Sequence, residues 1–468
     1  MSTEPNDPVQ SQAAEVVPVA SPYAGTHLRG SQQLAISAYW FATNFLWGAM
    51  LVIMLPAEAK HIAPQYRVTA LALINGISAI IALLVPLVAG ALSDRCAHAL
   101  GRRRPFIVAG VGVNVVGLFL MDLAYKNAQP VHGQPGESQW TVMGMLLTNP
   151  GFSAFLLAYM VVQFGNNIAS AAYSGVIPDL VPEDQRGAAS GYMALMSQAG
   201  TLLGVVSVGM LLGSQTETVK YLLISTVLAG VAMITILGIR ETPLPKKPPP
   251  IRWGPYVKSL WIDPKKYPDF AWVWITRAMV MLGFYGVLPY INYYLTDVIG
   301  IEKPGTPASI LTGIVLLASA CSGIYAGYLS DRIGRKRVVY IANSVIAVMA
   351  LAFVICHNFN EVLLVGVLYG LGFGAYTSVD WALGTDVLPS RVDAAKEMAV
   401  WHIAMTLPQS LAAPIAGTLI ASAGMSTLIV DGETVYHYHL AGYGALFVFA
   451  AICFAGGAFF LKNVRGVK

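Results

Sequence analysis

Apolar residues come in twelve long runs, near 32–55, 69–92, 105–124, 151–180, 188–212, 218–239, 270–299, 306–330, 338–357, 361–388, 397–422 and 440–461. A helix of about 20 largely apolar residues crosses the hydrocarbon core of a bilayer. Backbone polar groups must be paired within such a segment, so the pattern predicts an all-α membrane protein of twelve spanning helices. Six runs fall on each side of 240–267, which contains Glu241-Thr-Pro-Leu-Pro-Lys-Lys-Pro-Pro-Pro250. Its prolines cannot continue a helix and its lysines avoid lipid, which makes it a linker. The chain thus divides into a tail (1–30), a first six-helix bundle (31–239), the linker (240–267), a second bundle (268–462) and a last tail (463–468). The first tail is polar, without the apolar core of a signal peptide, and reads as disordered.

One polar pattern recurs between the runs. Gly90-Ala-Leu-Ser-Asp-Arg95 is followed by Gly101-Arg-Arg-Arg-Pro105, so that Asp94, Arg95, Gly101, Arg102 and Arg103 crowd the junction of helices 2 and 3. The second copy, half a chain later, is Gly327, Asp331, Arg332, Gly334, Arg335 and Lys336, between helices 8 and 9. An internal repeat in an apolar chain means two homologous bundles. The glycines Gly90 and Gly327 would let helices approach closely, and the aspartates would accept bonds from a neighbouring helix N-terminus.

Charge fixes orientation. Of 28 lysines and arginines, 22 lie in alternate connections and the tails. Only Lys60, Arg67, Lys126, Lys220 and Lys303 lie on the opposite side, and Arg277 falls within a helix. Both termini are therefore expected in the cytoplasm, with the protein in the cell membrane. With 56% hydrophobic and 11% charged residues, a soluble domain is excluded. The net charge of +4 is spent at membrane edges and gives no sign of a nucleic-acid partner. Four scattered cysteines, Cys96, Cys321, Cys356 and Cys453, have no metal or redox spacing and read as unpaired thiols. His437 and His439 lack a third ligand, so the loop ending there reads as a solvated hairpin. The connection 125–150, with Pro130, Gly133, Pro135 and Gly136, is expected to be irregular. No Walker motif, metal cluster or nucleophile elbow is present, so neither enzyme chemistry nor a cofactor is indicated.

Twelve helices in two halves, with this loop after helices 2 and 8, resemble the major facilitator superfamily. The longer first copy, ending Gly101-Arg-Arg-Arg-Pro-Phe-Ile107, is similar to the glycoside–cation symporter branch and its sucrose-transporter-like members. Asn166-Asn167, leading to Pro178-Asp179-Leu180 and Arg186-Gly187, adds to that similarity. The chain departs from the branch at Gln163 and Ser174, where the plant sucrose carriers have an aspartate and an arginine. Helix 2 holds Asn75 but no acid, unlike melibiose-type sodium symporters. The resemblance implies a cavity lined by helices 1, 4, 7 and 10. It also implies that the loop after helix 2 docks on helix 11 (395–397), and the loop after helix 8 on helix 5 (186–189).

Trp40, Asn44 and Trp47 share one face of helix 1, and Tyr159, Gln163 and Asn166 one face of helix 4, next to Asn167. Helix 7 offers Tyr285, Tyr290, Asn292, Tyr293 and Tyr294. Rings beside amides suit a sugar, whose C–H faces stack while its hydroxyls bond the amides. The alternative is aromatic belts and interhelical amide bonds. Deep charges need a reason in lipid, and Arg277, Asp380 and His402 are the candidates. At 1.5 Å per residue, Arg277 and Asp380 both sit roughly 10–12 Å from the cytoplasmic ends of helices 7 and 10. Asp380 is thus the partner matched in depth, with Asp386 the competitor and His402 able to join from the side. Asp122, Glu58 and Asp297 are expected to be solvated. Asp179 and Asp386, at matching inner ends of helices 4 and 10, point to a structural role beside the basic loops. Gly370-Leu-Gly-Phe-Gly374 lacks the context of a phosphate loop and signals close packing or a hinge.

The function expected is secondary transport of a small polar solute, a sugar or glycoside, by alternating access with proton coupling. The protein would work as a monomer whose partners are the solute, the proton and the bilayer. An efflux carrier for amphipathic compounds is the alternative within the fold, and a non-transporting membrane sensor the alternative of another class.

Overall fold

A computed structural model describes residues 23, 26–132, 138–182, 185–244, 251, 253–254, 262–387, 394–430 and 433–465. Most of the 1–30 tail and half of the linker lie outside the described residues, as do the side chains of Asp331, His402 and 395–397. Among the described residues, twelve helices are long and apolar enough to cross a membrane. Helix 1 runs from Gly30 through a π turn, Met50–Met54, to Ile62. Helices 2, 3 and 4 are Arg67–Asp94, Arg104–Asn127 and Pro150–Ser174. Helix 5, Arg186–Val206, also ends in a π turn, Ser207–Leu211, and helix 6 is Glu217–Gly238. Helix 7 is Pro268–Val287, continued by Leu288–Tyr290 and Ile291–Asp297. Helices 8 to 12 are Gly305–Ile333, Arg335–Ala352, Phe359–Asp386, Ala394–Ser422 and Leu440–Leu461.

Packing follows the repeat. Helix 1 lies on helices 5 and 6, and helix 7 on helices 11 and 12. Helix 4 lies on helices 2 and 3 as helix 10 lies on helices 8 and 9. Glycines make the tight seams. A Cβ at Gly200 or Gly204 would stand 2.3 Å from the carbonyl of Phe41 or Phe45, and one at Gly370 would stand 2.5 Å from the carbonyl of Val315. The Gly370–Gly374 run is therefore a close contact of helix 10 on helix 8.

The halves meet through helix 2 on helix 11 and helix 5 on helix 8, and the contact is one-sided. At the end away from the motif loops, a Cβ at Gly76 would strike Pro414 at 2.7 Å, and one at Gly417 would strike Ala72 at 2.7 Å. Near the basic end, a Cβ at Gly90, Gly191 or Gly327 would meet nothing within 4 Å. The expected close approach at Gly90 and Gly327 is absent because the helices have parted there.

Two connections correct the expectation. Within 125–150, Gln139–Thr148 is helical, started by Ser138, whose Oγ accepts from the Thr141 N–H at 3.2 Å. Between helices 11 and 12, β1 (Met425–Val430) pairs antiparallel with β2 (Glu433–Tyr438). That hairpin is not simply solvated: Tyr438 is buried and donates to the Gln65 carbonyl at 3.0 Å.

Candidate functional site

Helices 1 and 4 bring the amide and ring residues together in the first half. Trp40 lies 5.6 Å from Tyr173, and Trp47 stands edge-on to Tyr159 at 6.5 Å, ring centre to ring centre. Gln163 Nε2 bonds Tyr159 Oη at 3.2 Å, and Asn167 Nδ2 donates to Gln163 Oε1 at 3.2 Å and to its carbonyl at 2.8 Å. Asn44 Nδ2 donates to the Trp40 carbonyl at 2.8 Å. Trp40, Asn44, Trp47, Gln163 and Asn167 are each only half-buried. Amides left half open in mid-helix would be costly against lipid, which favours an aqueous cleft.

Asn166 does not belong to this face. It is 4% exposed and accepts from Thr43 Oγ1 at 2.9 Å, in the seam between helices 4 and 1. One step of 100° separates it from Asn167, which continues the Gln163 row. On helix 7, Tyr285 is half-buried, but Tyr290, Asn292, Tyr293 and Tyr294 are buried among helices.

In the second half Arg277 and Asp380 form an ion pair, with side chains 4% and 3% exposed. Tyr376 Oη donates to Asp380 Oδ1 at 2.9 Å, and the guanidinium lies 3.5 Å over the Trp401 ring. Helices 7, 10 and 11 are joined through one charge. A buried pair of this kind gains little over apolar packing, but losing one partner costs about 3–5 kcal/mol. Asp386 is paired elsewhere, with Arg335.

At the basic end Arg103 is the hub. It reaches Asp94 at 2.5 Å, Asp179 Oδ2 at 2.9 Å and Ser93 Oγ at 3.3 Å, while Arg102 reaches Asp179 Oδ1 at 2.6 Å. Gly101-Arg102 holding Asp179, in the short helix Val176–Leu180 after helix 4, repeats as Gly334-Arg335 holding Asp386 at the end of helix 10. Gly101 and Gly334 both turn through positive φ, 99° and 96°, which a side chain would resist. Glu241, at the head of the linker, accepts from the Arg103 N–H at 2.9 Å and so caps helix 3. Burial pushes its carboxyl upward in pKa, against the backbone donors of Arg103 and Arg104. Lys336 Nζ reaches the Val464 carbonyl at 2.5 Å, and Arg332 is exposed.

The three acids expected in solvent are buried instead. Glu58 accepts from Tyr221 Oη, Asp122 takes Lys126 at 2.8 Å and Thr218 at 2.9 Å, and Asp297 pairs with Arg67. Tyr221, Thr218 and Arg67 lie far off in sequence and no local pattern announced them, whereas Lys126 stands one turn from Asp122 in helix 3.

The profile of the Major Facilitator Superfamily matches residues 138–392 and 304–467, together more than half of the chain. This chain belongs to the Major Facilitator Superfamily. Among relatives, it is 26% identical over 239 residues to the MFS transporter asaE of Aspergillus flavus, covering 51% of this chain and 48% of that one. To the sucrose transport protein SUC4 of Arabidopsis thaliana it is 26% identical over 173 residues, covering 36% and 32%. To the multi-drug resistance efflux pump PmrA of Streptococcus pneumoniae it is 24% identical over 353 residues, covering 72% and 77%. The matches to the first two relatives therefore span about half and a third of their lengths. The fold is similar to crystal structures of the nucleoside transporter NupG (TM-score 0.64, 13% identity, 93% of this chain and 100% of that one) and of a D-xylose–proton symporter (TM-score 0.62, 15% identity, 93% and 98%). In this superfamily member the two signature loops thus stand in matching places, each tying an arginine to an aspartate just beyond helix 4 or at the end of helix 10.

Proposed function

We propose that this superfamily member is a secondary transporter of the cell membrane that moves a small neutral polar solute, a sugar or glycoside, by alternating access. The observation that carries the reading is the half-buried row Trp40, Asn44, Trp47, Gln163 and Asn167. It offers ring faces to C–H surfaces and amides to hydroxyls, with no charge in the row to favour an ionic solute. Tyr285 faces it from helix 7 in this reading. The names of two similar proteins, a sucrose transport protein and a D-xylose–proton symporter, support a sugar. A second reading, efflux of amphipathic compounds, is favoured by the pump that matches 72% of this chain.

The proton is the coupling ion in this account, and Asp380 is its site. Protonation would loosen its hold on Arg277 and free helices 7, 10 and 11 to repack. Both termini lie in the cytoplasm and the protein works as a monomer, so the parted basic end faces inward. That end closes when Asp94 reaches the start of helix 11 and Asp331 the start of helix 5. In the present state Asp94 is half exposed and held by Arg103.

Trp40→Ala and Asn167→Ala should each raise the apparent KM for the transported sugar about 5- to 30-fold, a loss of roughly 1–2 kcal/mol of binding, with the melting temperature kept. Transport by both variants with an unchanged KM would remove the row from the site.

A further inference from the structure

Arg67 opens helix 2 and Asp297 closes helix 7, so they come from opposite halves. Both side chains are buried, 2% and 0% exposed, and they form an ion pair. Arg67 Nη1 also donates to the Tyr436 carbonyl of β2 at 2.8 Å, and the guanidinium lies 5.2 Å from the ring centre of Tyr293 and 5.5 Å from that of Tyr438. Asp297 accepts from Tyr443 Oη at 2.5 Å, with His437 Nδ1 3.4 Å away. Burial pushes the Tyr438 phenol up to about 12, so it keeps the proton it donates to the Gln65 carbonyl. The hairpin belongs to the second half and is bonded to the first at both places.

A second set of bonds lies beside the pair. A π turn interrupts the regular helical ladder and frees carbonyls for other donors. In and after the π turn of helix 1, the Val52 carbonyl accepts from Asn292 Nδ2 and the Pro56 carbonyl from Tyr293 Oη at 2.7 Å. At the π turn of helix 5, the Gly209 carbonyl accepts from Thr306 Oγ1 at 3.2 Å and the Val205 carbonyl from Ser309 Oγ at 3.1 Å. Every donor is a side chain of the second half, and every acceptor is backbone of the first.

This is an unusual way to join two bundles permanently. A buried ion pair holds no better than an apolar seam, but once parted its charges are recovered by water, whereas bared apolar surface is not. The seam suits halves that separate. We infer that Arg67, Asp297 and the β-hairpin form a latch that closes the end opposite the basic loops and breaks when that end opens. Asn292, Thr306 and Ser309 seat it.

The latch is tested by the distance between spin labels on K126C and E302C, exposed positions of opposite halves at that end, with the four native cysteines replaced. In proteoliposomes, Asp297→Asn should raise the long-distance population about tenfold or more, and Tyr438→Phe should raise it by less, in the same direction. Should Asp297→Asn not fold, Tyr438→Phe decides alone. A distribution unchanged in Tyr438→Phe, and in Asp297→Asn where it folds, would make the cluster a static staple and overturn the inference.

Discussion

Arginine cannot shed its proton to escape a buried site, so Arg277 must be compensated wherever the protein stands in its cycle. Asp380 does this in the state described, with Tyr376 and Trp401 completing the shell. If Asp380 carries the coupling proton, Asp380→Asn should abolish accumulation driven by a pH gradient while downhill exchange persists. Accumulation against a gradient by that variant would move the proton site elsewhere and leave the pair structural. Depth counting put Asp380 first and kept Asp386 as the competitor, because a charge in an apolar helix restricts its partners to about one level; packing decides for Asp380. Asn166 was not legible: two adjacent amides on a helix differ by 100°, and only packing decides which one meets Thr43. Glu241 was hidden for another reason. It is one acid in a proline-rich stretch, and its role depends on where the N-terminus of helix 3 lies in space.

At the scale of elements, the twelve spans follow from runs of apolar residues, and most observed ends fall within a few residues of the expected ones. Departures come where a side chain rather than hydropathy sets the end. Ser138 starts an extra helix, Gln139–Thr148, in a loop whose prolines and glycines suggested none. The hairpin was recognisable as a turn, but its docking on Gln65 and Arg67 is a contact of residues more than 360 positions apart. Helix 1 packs on helix 5 backbone to backbone at Gly200 and Gly204. Gly204→Val would force these helices apart, and overpacking of this kind costs about 1–3 kcal/mol or more. Its thermal midpoint should fall, whereas Gly230→Val, with open space around it, should melt as the parent does. Equal midpoints for the two variants would contradict the contact.

The whole molecule is two copies of one design joined at one end. The repeat in the sequence put Asp179 and Asp386 at matching positions beside the basic loops, and the structure pairs them with Arg102 and Arg335. It did not foretell the state. With Gly90, Gly191 and Gly327 in open space and Gly76 and Gly417 in contact, the basic end is parted and the hairpin end closed. A single sequence must serve both states, so its pattern alone favours neither. Alternating access by such a molecule requires the latch at Arg67 and Asp297 to yield as the basic loops engage. We propose that the cleft between the halves carries a small neutral polar solute driven by protons. The most direct test is uptake of a panel of labelled sugars and glycosides by proteoliposomes of the full chain, with and without a pH gradient, acid outside. At least one sugar should be taken up in both cases and accumulated only when the gradient is present. Uptake of no sugar, alongside proton-driven movement of amphipathic cations, would contradict it.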